Sequence, residues 1–283
     1  MPSLRISAIS FLNAAPLLWD FEHGDANCNF DIEYTVPSAC AASLAANQAD
    51  IGIIPVFAYA EIPGLVILPN ISIAAKDWVR SILLVSKKQI EDVQTVATDS
   101  TSRTSVVLLQ VLFTKFLGGR RQLTPHAPAL EAMLRNHDAA LLIGDTALQV
   151  PEDSGYYLYD LAHEWRERTG KAFVFAFWAV RLDALNLQPQ GLDLTEVFQR
   201  SRDHGLLPEN ISTTAREWSR KLALSSDAIR QYLTENIHYY LDRENHAGLQ
   251  LFLEYSQEIE LIREVPELLF LGPVAFGDRR RQL

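Results

Sequence analysis

The sequence predicts an α/β protein of two hinged lobes, a clamshell with a ligand cleft between the lobes. A β-α-β-α-β run opens the chain, a second series of buried strands follows the polar stretch Lys87–Gln94, and helical periodicity dominates from Ser225 onward. The 283 residues suit two domains. We expect residues 1–88 and 178–283 to form the first lobe and residues 89–177 to form the second.

In the first lobe, Leu4–Ala8 alternates and predicts a strand that ends at the turn-like Ser10–Asn13. Pro16 suits the first turn of a helix that runs through Trp19. Phe30–Val36 predicts a second strand. Ser38 then suits the N-cap of an alanine-rich helix. The N-capped helix is predicted over Ala39–Asn47, the next strand over Asp50–Pro55, and a fourth strand over Arg80–Ser86.

In the second lobe, a strand at Thr95–Ala97 and a polar loop at 98–104 precede a helix that ends at Gly118–Gly119. Ala139–Ile143 predicts a buried strand, and the aromatic strand Ala172–Val180 returns the chain to the first lobe. The C-terminal region has helical spacing. Its predicted apolar stripe contains Ile229, Tyr232, Leu233, Ile237, Tyr240 and Leu241, and a basic tail follows at Arg279–Arg281.

Composition excludes several classes of function. Hydrophobic residues make up 48% of the chain and charged residues 21%, which allows a large core. The 25 Lys and Arg against 35 Asp and Glu give a net charge of −10, so a general nucleic-acid surface is not expected. A local pocket of neutral donors can still bind a small anion.

Cellular location is predicted from cysteine use and from hydropathy. Cys28 and Cys40 are too few for a disulfide framework or a structural zinc site, and they suit a reducing cytoplasm. No uncharged apolar run reaches the roughly 18 residues of a membrane span, so no membrane insertion is expected. Ser10, Asn13 and Pro16 interrupt the apolar N-terminal segment, so we expect no signal peptide.

The loop before the predicted second-lobe helix is the strongest candidate for a binding site. Unpaired N–H groups and the helix dipole at a helix N-terminus favour a carboxylate or a phosphate. The alternative is that one or two residues of this loop cap the helix in the ordinary way, while the other hydroxyls are solvated. The candidate ligand contacts in this loop are Ser100, Thr101, Ser102, Arg103, Thr104 and Ser105.

Other candidates lie where predicted strands begin or end. Asn13 can donate and accept hydrogen bonds without ionising, although capping the following helix is an equally good interpretation. Arg80 could pair with a substrate carboxylate or form an exposed salt bridge between the lobes. Asp145 could orient a ligand hydroxyl or cap a helix. Further candidates at these positions are Ser10, Phe11, Ser38, Ile54, Pro55, Ser81 and Gly144.

No cofactor motif is present in the sequence. The seven histidines have no metal-ligand spacing, and there is no nucleophile elbow, Walker loop or dinucleotide fingerprint. We therefore expect neither a metal nor an organic cofactor. Residue patterns alone lead to a two-lobed protein that binds a small anion.

Seven segments follow one another along the chain, namely RISAISFLNAAPL, QADIGIIPVFAY, VRSILLVSKK, VATDSTSRTSVVLLQVLF, AALLIGDTAL, DLAHEWRERTGKAFVFAFW and HAGLQLFLEY. This ordered series resembles the chorismate dehydratase family of the futalosine route to menaquinone. The resemblance implies a fold similar to type II periplasmic binding proteins. It also implies dehydration of chorismate to 3-[(1-carboxyvinyl)oxy]benzoate without metal, flavin or nicotinamide.

Within that resemblance, the cleft residues receive hypothetical roles. Ser102, Thr104, Ser105 and the helix N-terminus would hold one carboxylate of chorismate. Asn13 and Ser81 would act as the catalytic pair that orients the departing hydroxyl. The base would be the enolpyruvyl carboxylate of the substrate itself, because the matched loops contain no His or Glu.

Three other functions are compatible with the same fold. A non-catalytic binding protein for small anions would normally be exported. The related naphthoate synthase of the same pathway would be expected to use a protein His as its base. An effector-sensing domain of a transcription regulator would need a helix-turn-helix. A homodimer is possible in each case.

Overall fold

The computed structural model describes residues 3–24, 26 and 30–272, and its strands form two five-stranded sheets. The strands are β1 (Leu4–Ile9), β2 (Phe30–Thr35), β3 (Ile51–Pro55), β4 (Leu65–Ala75), β5 (Ile82–Ser86), β6 (Thr95–Asp99), β7 (Gln122–His126), β8 (Ala139–Ile143), β9 (Tyr157–Asp160) and β10 (Phe173–Arg181). The first sheet has the order β2-β1-β3-β10-β4, and the second has the order β7-β6-β8-β5-β9. Each sheet is therefore the centre of one lobe.

Helices cover both sheets. The helices are α1 (Trp19–His23), α2 (Pro37–Ala45), α3 (Val56–Tyr59), α4 (Thr104–Phe116), α5 (Leu130–Asn136), α6 (Gly144–Leu148), α7 (Leu161–Thr169), α8 (Leu194–Gly205), α9 (Pro208–Leu222), α10 (Ser226–Gln231) and α11 (Arg243–Glu258). Short 3₁₀ helices span Leu12–Leu18, Ile90–Asp92 and Leu182–Leu187, and a π-helical turn spans Tyr232–Asn236. Within the described residues, no helix is long and apolar enough to cross a membrane.

The first sheet is mixed. β1 pairs in parallel with β2 and β3, whereas β10 runs antiparallel between β3 and β4. Every residue of β3 is buried, as its continuous apolar sequence predicts. α8 packs closely against the 3₁₀ helix, and a Cβ on Gly205 would lie 2.0 Å from the Pro16 carbonyl oxygen. A side chain at Gly205 would therefore push the two helices apart.

One strand lies in a different sheet from the one expected. The apolar strand after Arg80 is β5, and it pairs antiparallel with β8 and β9 of the second sheet. The chain therefore crosses between the sheets before Ile82 and not after Lys87. All five residues of β5 are buried, and a continuous apolar run fits the interior of either sheet, so its sequence could not assign it. β10 lies entirely in the first sheet, including Phe173–Phe177, whereas the predicted lobe boundary assigns these five residues to the second lobe.

Several predicted helix boundaries are wrong. Helix α2 begins at Pro37 with Val36 as its N-cap, so Ser38 is not the cap. Pro16 lies inside the 3₁₀ helix and not in the first turn of an α-helix. The predicted C-terminal stripe leaves the helix at Ile237, because the backbone of His238 hydrogen-bonds with Ala74 of β4. The predicted basic tail lies outside the described residues, as does Cys28.

Candidate active site

A narrow cavity of about 40 Å³ lies between the two lobes and is called the inner cavity below. Residues at the ends of β1, β3 and β8 and at the beginning of α4 line it. The full lining is Ile9, Phe11, Asn13, Pro37, Pro55, Ile73, Ile82, Ser102, Thr104, Ser105, Ile143, Gly144, Phe175 and Ala176. Among these described lining residues none has an ionisable side chain. The polar groups that the cavity offers are therefore hydroxyls, an amide and backbone groups.

The N-terminus of α4 forms the polar wall of the inner cavity. Ser102, Thr104 and Ser105 line the cavity, and the last two are buried. The Thr104 hydroxyl accepts a hydrogen bond from the backbone N–H of Phe57 at 3.2 Å, which ties α4 to α3 of the other lobe. With 13 residues, α4 is long enough to carry a substantial dipole, so its first turn suits an anion.

The other three candidates of this loop point elsewhere. The Thr101 hydroxyl donates to Asp99, and Ser100 is exposed. Arg103 pairs with Glu61 of the first lobe at 2.6 Å, outside the inner cavity. The Thr101 carbonyl accepts a hydrogen bond from the Ser38 N–H at 3.1 Å. Thr101, Arg103 and Ser38 therefore hold the lobes together and do not line the cavity.

Asn13 and Phe11 follow β1 and face the inner cavity. The Asn13 Oδ1 atom is buried and has no hydrogen-bond partner among the described residues. Such an atom is costly to leave unpaired, so it is suited to a ligand donor. Phe11 packs on Gly144, where a Cβ would lie 2.6 Å from the ring. Gly144 also has a φ of +57°, so both space and backbone favour glycine. Ser10 is exposed and its hydroxyl donates to the Thr35 carbonyl.

Ser81 lies directly before β5, at the crossing between the lobes, and is fully buried. Its hydroxyl accepts a hydrogen bond of 2.8 Å from the Tyr232 hydroxyl, and its carbonyl accepts one from the Gly144 N–H. The preceding residue, Arg80, has a φ of +64°, which is strained for a side chain of this size. Ser81 is therefore held by these two hydrogen bonds beside a strained turn, and it does not itself line the inner cavity.

Asp160 holds that turn in place. Its Oδ2 accepts hydrogen bonds from the N–H groups of Val79 and Arg80 at 2.9 and 2.6 Å, and its Oδ1 accepts from Ala162 and His163. One carboxyl group thus caps α7 and fixes the crossing segment. Burial raises the pKa of Asp160 to about 6, against the lowering effect of these N–H groups.

Arg80 and Ile54 lie outside the inner cavity. The Arg80 guanidinium pairs with Glu152 at 2.6 Å and lines a larger cavity of about 550 Å³, the outer cavity. Leu12, Trp78 and Tyr232 also line the outer cavity, which places it behind the Ser81–Tyr232 contact. Ile54 is fully buried in the first sheet, whereas its neighbour Pro55 lines the inner cavity. The Arg80–Glu152 salt bridge is exposed, and it joins the segment before β5 to a residue expected in the second lobe.

Asp145 links the lobes and does not cap its own helix. Its Oδ1 accepts a hydrogen bond from the Leu12 N–H at 3.0 Å, whereas Ile143 is the N-cap of α6. Burial raises the pKa of Asp145 to about 6, and the Leu12 N–H and the positive charge of Lys221 oppose this rise. Asp145 is a buried acidic group next to the lining residue Gly144, although it is absent from the cavity lining.

Sequence reasoning missed the Tyr232 hydroxyl. The tyrosine was assigned to an apolar helical stripe, and its partner Ser81 lies 151 residues away along the chain. No local sequence pattern indicates a hydrogen bond between two residues so far apart along the chain. In the described part of the chain, no group of three or more His, Cys, Asp or Glu could hold a metal ion.

Comparison with known proteins gives a family and a fold. The model of a family described as "Menaquinone biosynthesis" matches residues 4–258. The chain belongs to this menaquinone biosynthesis family. A curated relative of this chain, chorismate dehydratase from Thermus thermophilus, is 28% identical over 242 residues, which cover 80% of this chain and 86% of that protein.

Solved structures similar to this family member have the periplasmic-binding-protein-like fold, which confirms the predicted fold class. A protein from Archaeoglobus fulgidus superposes with a TM-score of 0.71 at 17% identity, covering 92% of this chain and 98% of that one. The periplasmic aliphatic sulphonate binding protein SsuA from Escherichia coli gives a TM-score of 0.64 at 16% identity, covering 99% and 97%. At these identities the likeness concerns the fold alone.

Proposed function

We propose that this chain is a carbon–oxygen hydro-lyase that converts chorismate into 3-[(1-carboxyvinyl)oxy]benzoate, in the futalosine route to menaquinone. The observation that carries the proposal is the inner cavity, which offers neutral hydrogen-bonding groups and a helix N-terminus without an ionisable side chain in its lining. A dianionic substrate suits such a cavity, because neutral donors bind carboxylates without bringing a protein base. Family membership and the curated relative support the same reaction.

The reaction requires the loss of one hydroxyl and one proton from the ring. The C–O bond to the ring hydroxyl breaks, a neighbouring C–H proton is removed, and the electron pair of that C–H bond completes the aromatic ring. Water is the other product. Ser81 and Asn13 would orient the departing hydroxyl, while Ser102, Thr104 and Ser105 at the N-terminus of α4 would hold a carboxylate. The enolpyruvyl carboxylate of the substrate would accept the proton and pass it to the departing hydroxide, which leaves as water, with closure supplying the proximity.

Lobe movement is part of the proposal. A cavity of about 40 Å³ is far below the roughly 300 Å³ of typical ligand pockets, so the lobes must open to admit chorismate. The Ser38–Thr101 and Phe57–Thr104 hydrogen bonds join the lobes, and opening would break them. Closure around the substrate would then exclude water and strengthen each polar contact.

A non-catalytic binding protein for small anions is the second candidate. The closed cleft and the helix N-terminus of α4 favour a binding protein as much as they favour the enzyme. The sulphonate binding protein SsuA also has the same fold. Naphthoate synthase chemistry has less support, because among the described lining residues no His is available as a base.

Incubation of the purified protein with chorismate separates these functions. We expect the mass of the substrate to fall by one water, with the ultraviolet spectrum of an aromatic product. Binding without loss of water would favour the anion-binding protein. Heat-denatured protein serves as the control for spontaneous breakdown of chorismate.

Asn13→Asp tests the role of the uncharged cleft. The variant places a carboxylate beside a dianionic substrate, so we expect turnover to fall about 100-fold or more. Asn210→Asp adds the same charge at a residue whose side chain caps the end of α8, and it should leave turnover unchanged. Wild-type turnover by Asn13→Asp would remove Asn13 from the mechanism.

A cytoplasmic location is part of the same proposal. Cys40 is free and buried, and burial raises the pKa of its thiol to about 11, which keeps it protonated and unreactive. A free thiol of this kind suits a reducing compartment. The homodimer stays a prediction.

A further inference from the structure

Tyr232 is a buried tyrosine whose hydroxyl lies at the contact between the lobes. We propose that Tyr232 is a positioning residue that fixes the direction of the Ser81 hydroxyl proton, a role that rests on the proposed function of Ser81. The Tyr232 side chain is 4% exposed, and its hydroxyl donates to Ser81 Oγ at 2.8 Å.

The hydrogen bonds that Ser81 makes determine the direction of its hydroxyl proton. A serine hydroxyl has one proton and two lone pairs, and Tyr232 occupies one lone pair. The proton of Ser81 must then point away from Tyr232. The Asn13 Oδ1 atom is a buried acceptor with no partner among the described residues, and the Asn13 side chain also neighbours the Tyr232 hydroxyl. The Ser81 proton is therefore not used by Tyr232 and is available to a bound substrate, while Ser81 itself is fully buried and lies beside the lining of the inner cavity and not in it.

Tyr232 can act as a donor throughout catalysis. Burial raises the pKa of its phenol far above the ordinary range, and nearby Asp145 and Asp160 add to this rise. The phenol therefore keeps its proton at any working pH. A group that never ionises is a poor acid or base, but it is a fixed hydrogen-bond donor. This distinguishes a positioning role from proton transfer.

The backbone around Tyr232 is built to place this hydroxyl. Tyr232 begins a π-helical turn, in which the Ile237 N–H donates to the Tyr232 carbonyl at 3.2 Å. Such turns are rare and are frequent at functional sites. His238, which follows the turn, pairs with β4 of the first sheet, whereas Ser81 directly precedes β5 of the second sheet. The Tyr232–Ser81 hydrogen bond therefore ties the C-terminal helical region to the segment that crosses between the lobes.

The bond is formed in this structure, where the cleft is closed, and we infer that opening of the lobes weakens it because Ser81 lies at the crossing between them. An open enzyme would leave the Ser81 hydroxyl free to rotate. Closure would then align the Ser81 proton with the departing hydroxyl of the substrate, at the moment when its C–O bond breaks. Such alignment helps the chemical step more than it helps binding.

Tyr232→Phe tests the proposal by removing only the hydroxyl. We expect kcat to fall about 10- to 100-fold, with KM within about threefold of the wild-type value. In a Ser81→Ala background the same change should alter kcat by less than about threefold, because Tyr232 acts through Ser81. A purely structural role would lower activity in both backgrounds alike, so the double-mutant cycle is the decisive readout.

Tyr239→Phe is the matched control. Tyr239 is as buried as Tyr232, and its hydroxyl has no hydrogen-bond partner among the described residues. We expect its loss to leave kcat unchanged. Melting temperatures of all variants, measured alongside, identify any variant that loses activity by unfolding.

Two results would overturn the proposal: wild-type kcat in Tyr232→Phe, or an equal loss of kcat in the Ser81→Ala background. If the wild type binds chorismate without dehydrating it, the proposed function fails separately. The same double-mutant cycle is then carried out with the dissociation constant for chorismate as the measured quantity. Non-additive losses of affinity still support coupling between Tyr232 and Ser81, and additive losses contradict it.

Discussion

Single residues in this protein owe their properties to partners that lie far away in sequence. Asn13, Ser102, Thr104 and Ser105 were selected from local patterns, and the structure brings them to one cavity, where their roles stay predictions. Tyr232 could not be selected in this way, because its hydrogen-bond partner lies 151 residues away along the chain. Composition and spacing identify groups that can bind a ligand. Only the folded chain shows which of them are left without a partner.

Asp145 makes stability depend on pH. Burial raises its pKa in the folded protein to about 6 from an unfolded value of 3.8. A raised pKa contributes stability that is full below pH 3.8 and is lost as the pH rises through about 6. At pH 8 the folded state therefore carries an unfavourable charge. Asp145→Asn removes the charge and should raise the free energy of unfolding by about 1–2 kcal/mol at pH 8, less than the full shift implies because the side chain is partly exposed.

The same variant provides its own control at low pH. Near pH 4 the wild-type carboxyl is protonated in the folded state, so Asp145→Asn should gain little or nothing there. Urea unfolding at both pH values measures the difference. An equal gain at both would contradict the assigned cause, since only the charged form is penalised by burial.

Secondary structure elements were predictable where their sequence pattern was uninterrupted. The apolar runs of β3, β5 and β8 were found, although β5 was assigned to the wrong sheet. β4 was missed because Pro69 and Asn70 interrupt it. Asn70 has a φ of +61°, and the pairing with β10 shifts register across these two residues. A proline in a bulge thus makes one long strand look like two short strands joined by a turn. The sequence pattern alone cannot distinguish these two structures.

The Asp160 clamp is a property of two elements, because one carboxyl group caps α7 and holds the segment before β5. Its charge is not the source of stability, since burial disfavours that charge. Its four N–H contacts are the source. Asp160→Ala should therefore lower the free energy of unfolding by about 3 kcal/mol, because buried N–H groups lose their acceptor. It should also lower kcat, since the strained turn at Arg80 would relax and move Ser81.

Asp193 provides the matched comparison for this clamp. It caps α8 by accepting from the Glu196 N–H, and it is exposed. Asp193→Ala should cost about 1 kcal/mol, the usual value for a lost N-cap, and leave kcat unchanged. Equal costs for the two variants in urea unfolding would mean that Asp160 is only a helix cap.

At the scale of the whole molecule, two sheets predicted as two lobes meet around a cavity that is nearly closed. The bonds that close it are made by backbone groups and by side chains proposed for substrate binding. Binding and closure are therefore coupled, because the same groups contribute to both. The cleft could be predicted from the fold class. The hydrogen bonds that close it could not be predicted, because they depend on how one lobe is placed against the other.

Thr104 tests the coupling between closure and binding. Its hydroxyl accepts from the Phe57 N–H across the lobes, so Thr104→Val leaves that N–H buried and unpaired in the closed form alone. We expect chorismate affinity to fall about tenfold, and the ligand-free protein to show a larger radius of gyration in small-angle scattering. Thr104→Ser keeps the acceptor and should bind within about threefold of the wild type.

A second threonine of α4 separates this effect from a general one. The Thr114 hydroxyl is buried without a hydrogen-bond partner among the described residues. Thr114→Val makes the same chemical change in the same helix and should alter neither affinity nor radius, because no bond between the lobes is lost. If Thr104→Val lost affinity while its radius stayed at the wild-type value, Thr104 would contact the ligand directly without contributing to closure. Expansion and loss of affinity together in Thr104→Val alone would tie closure to binding through this one hydroxyl.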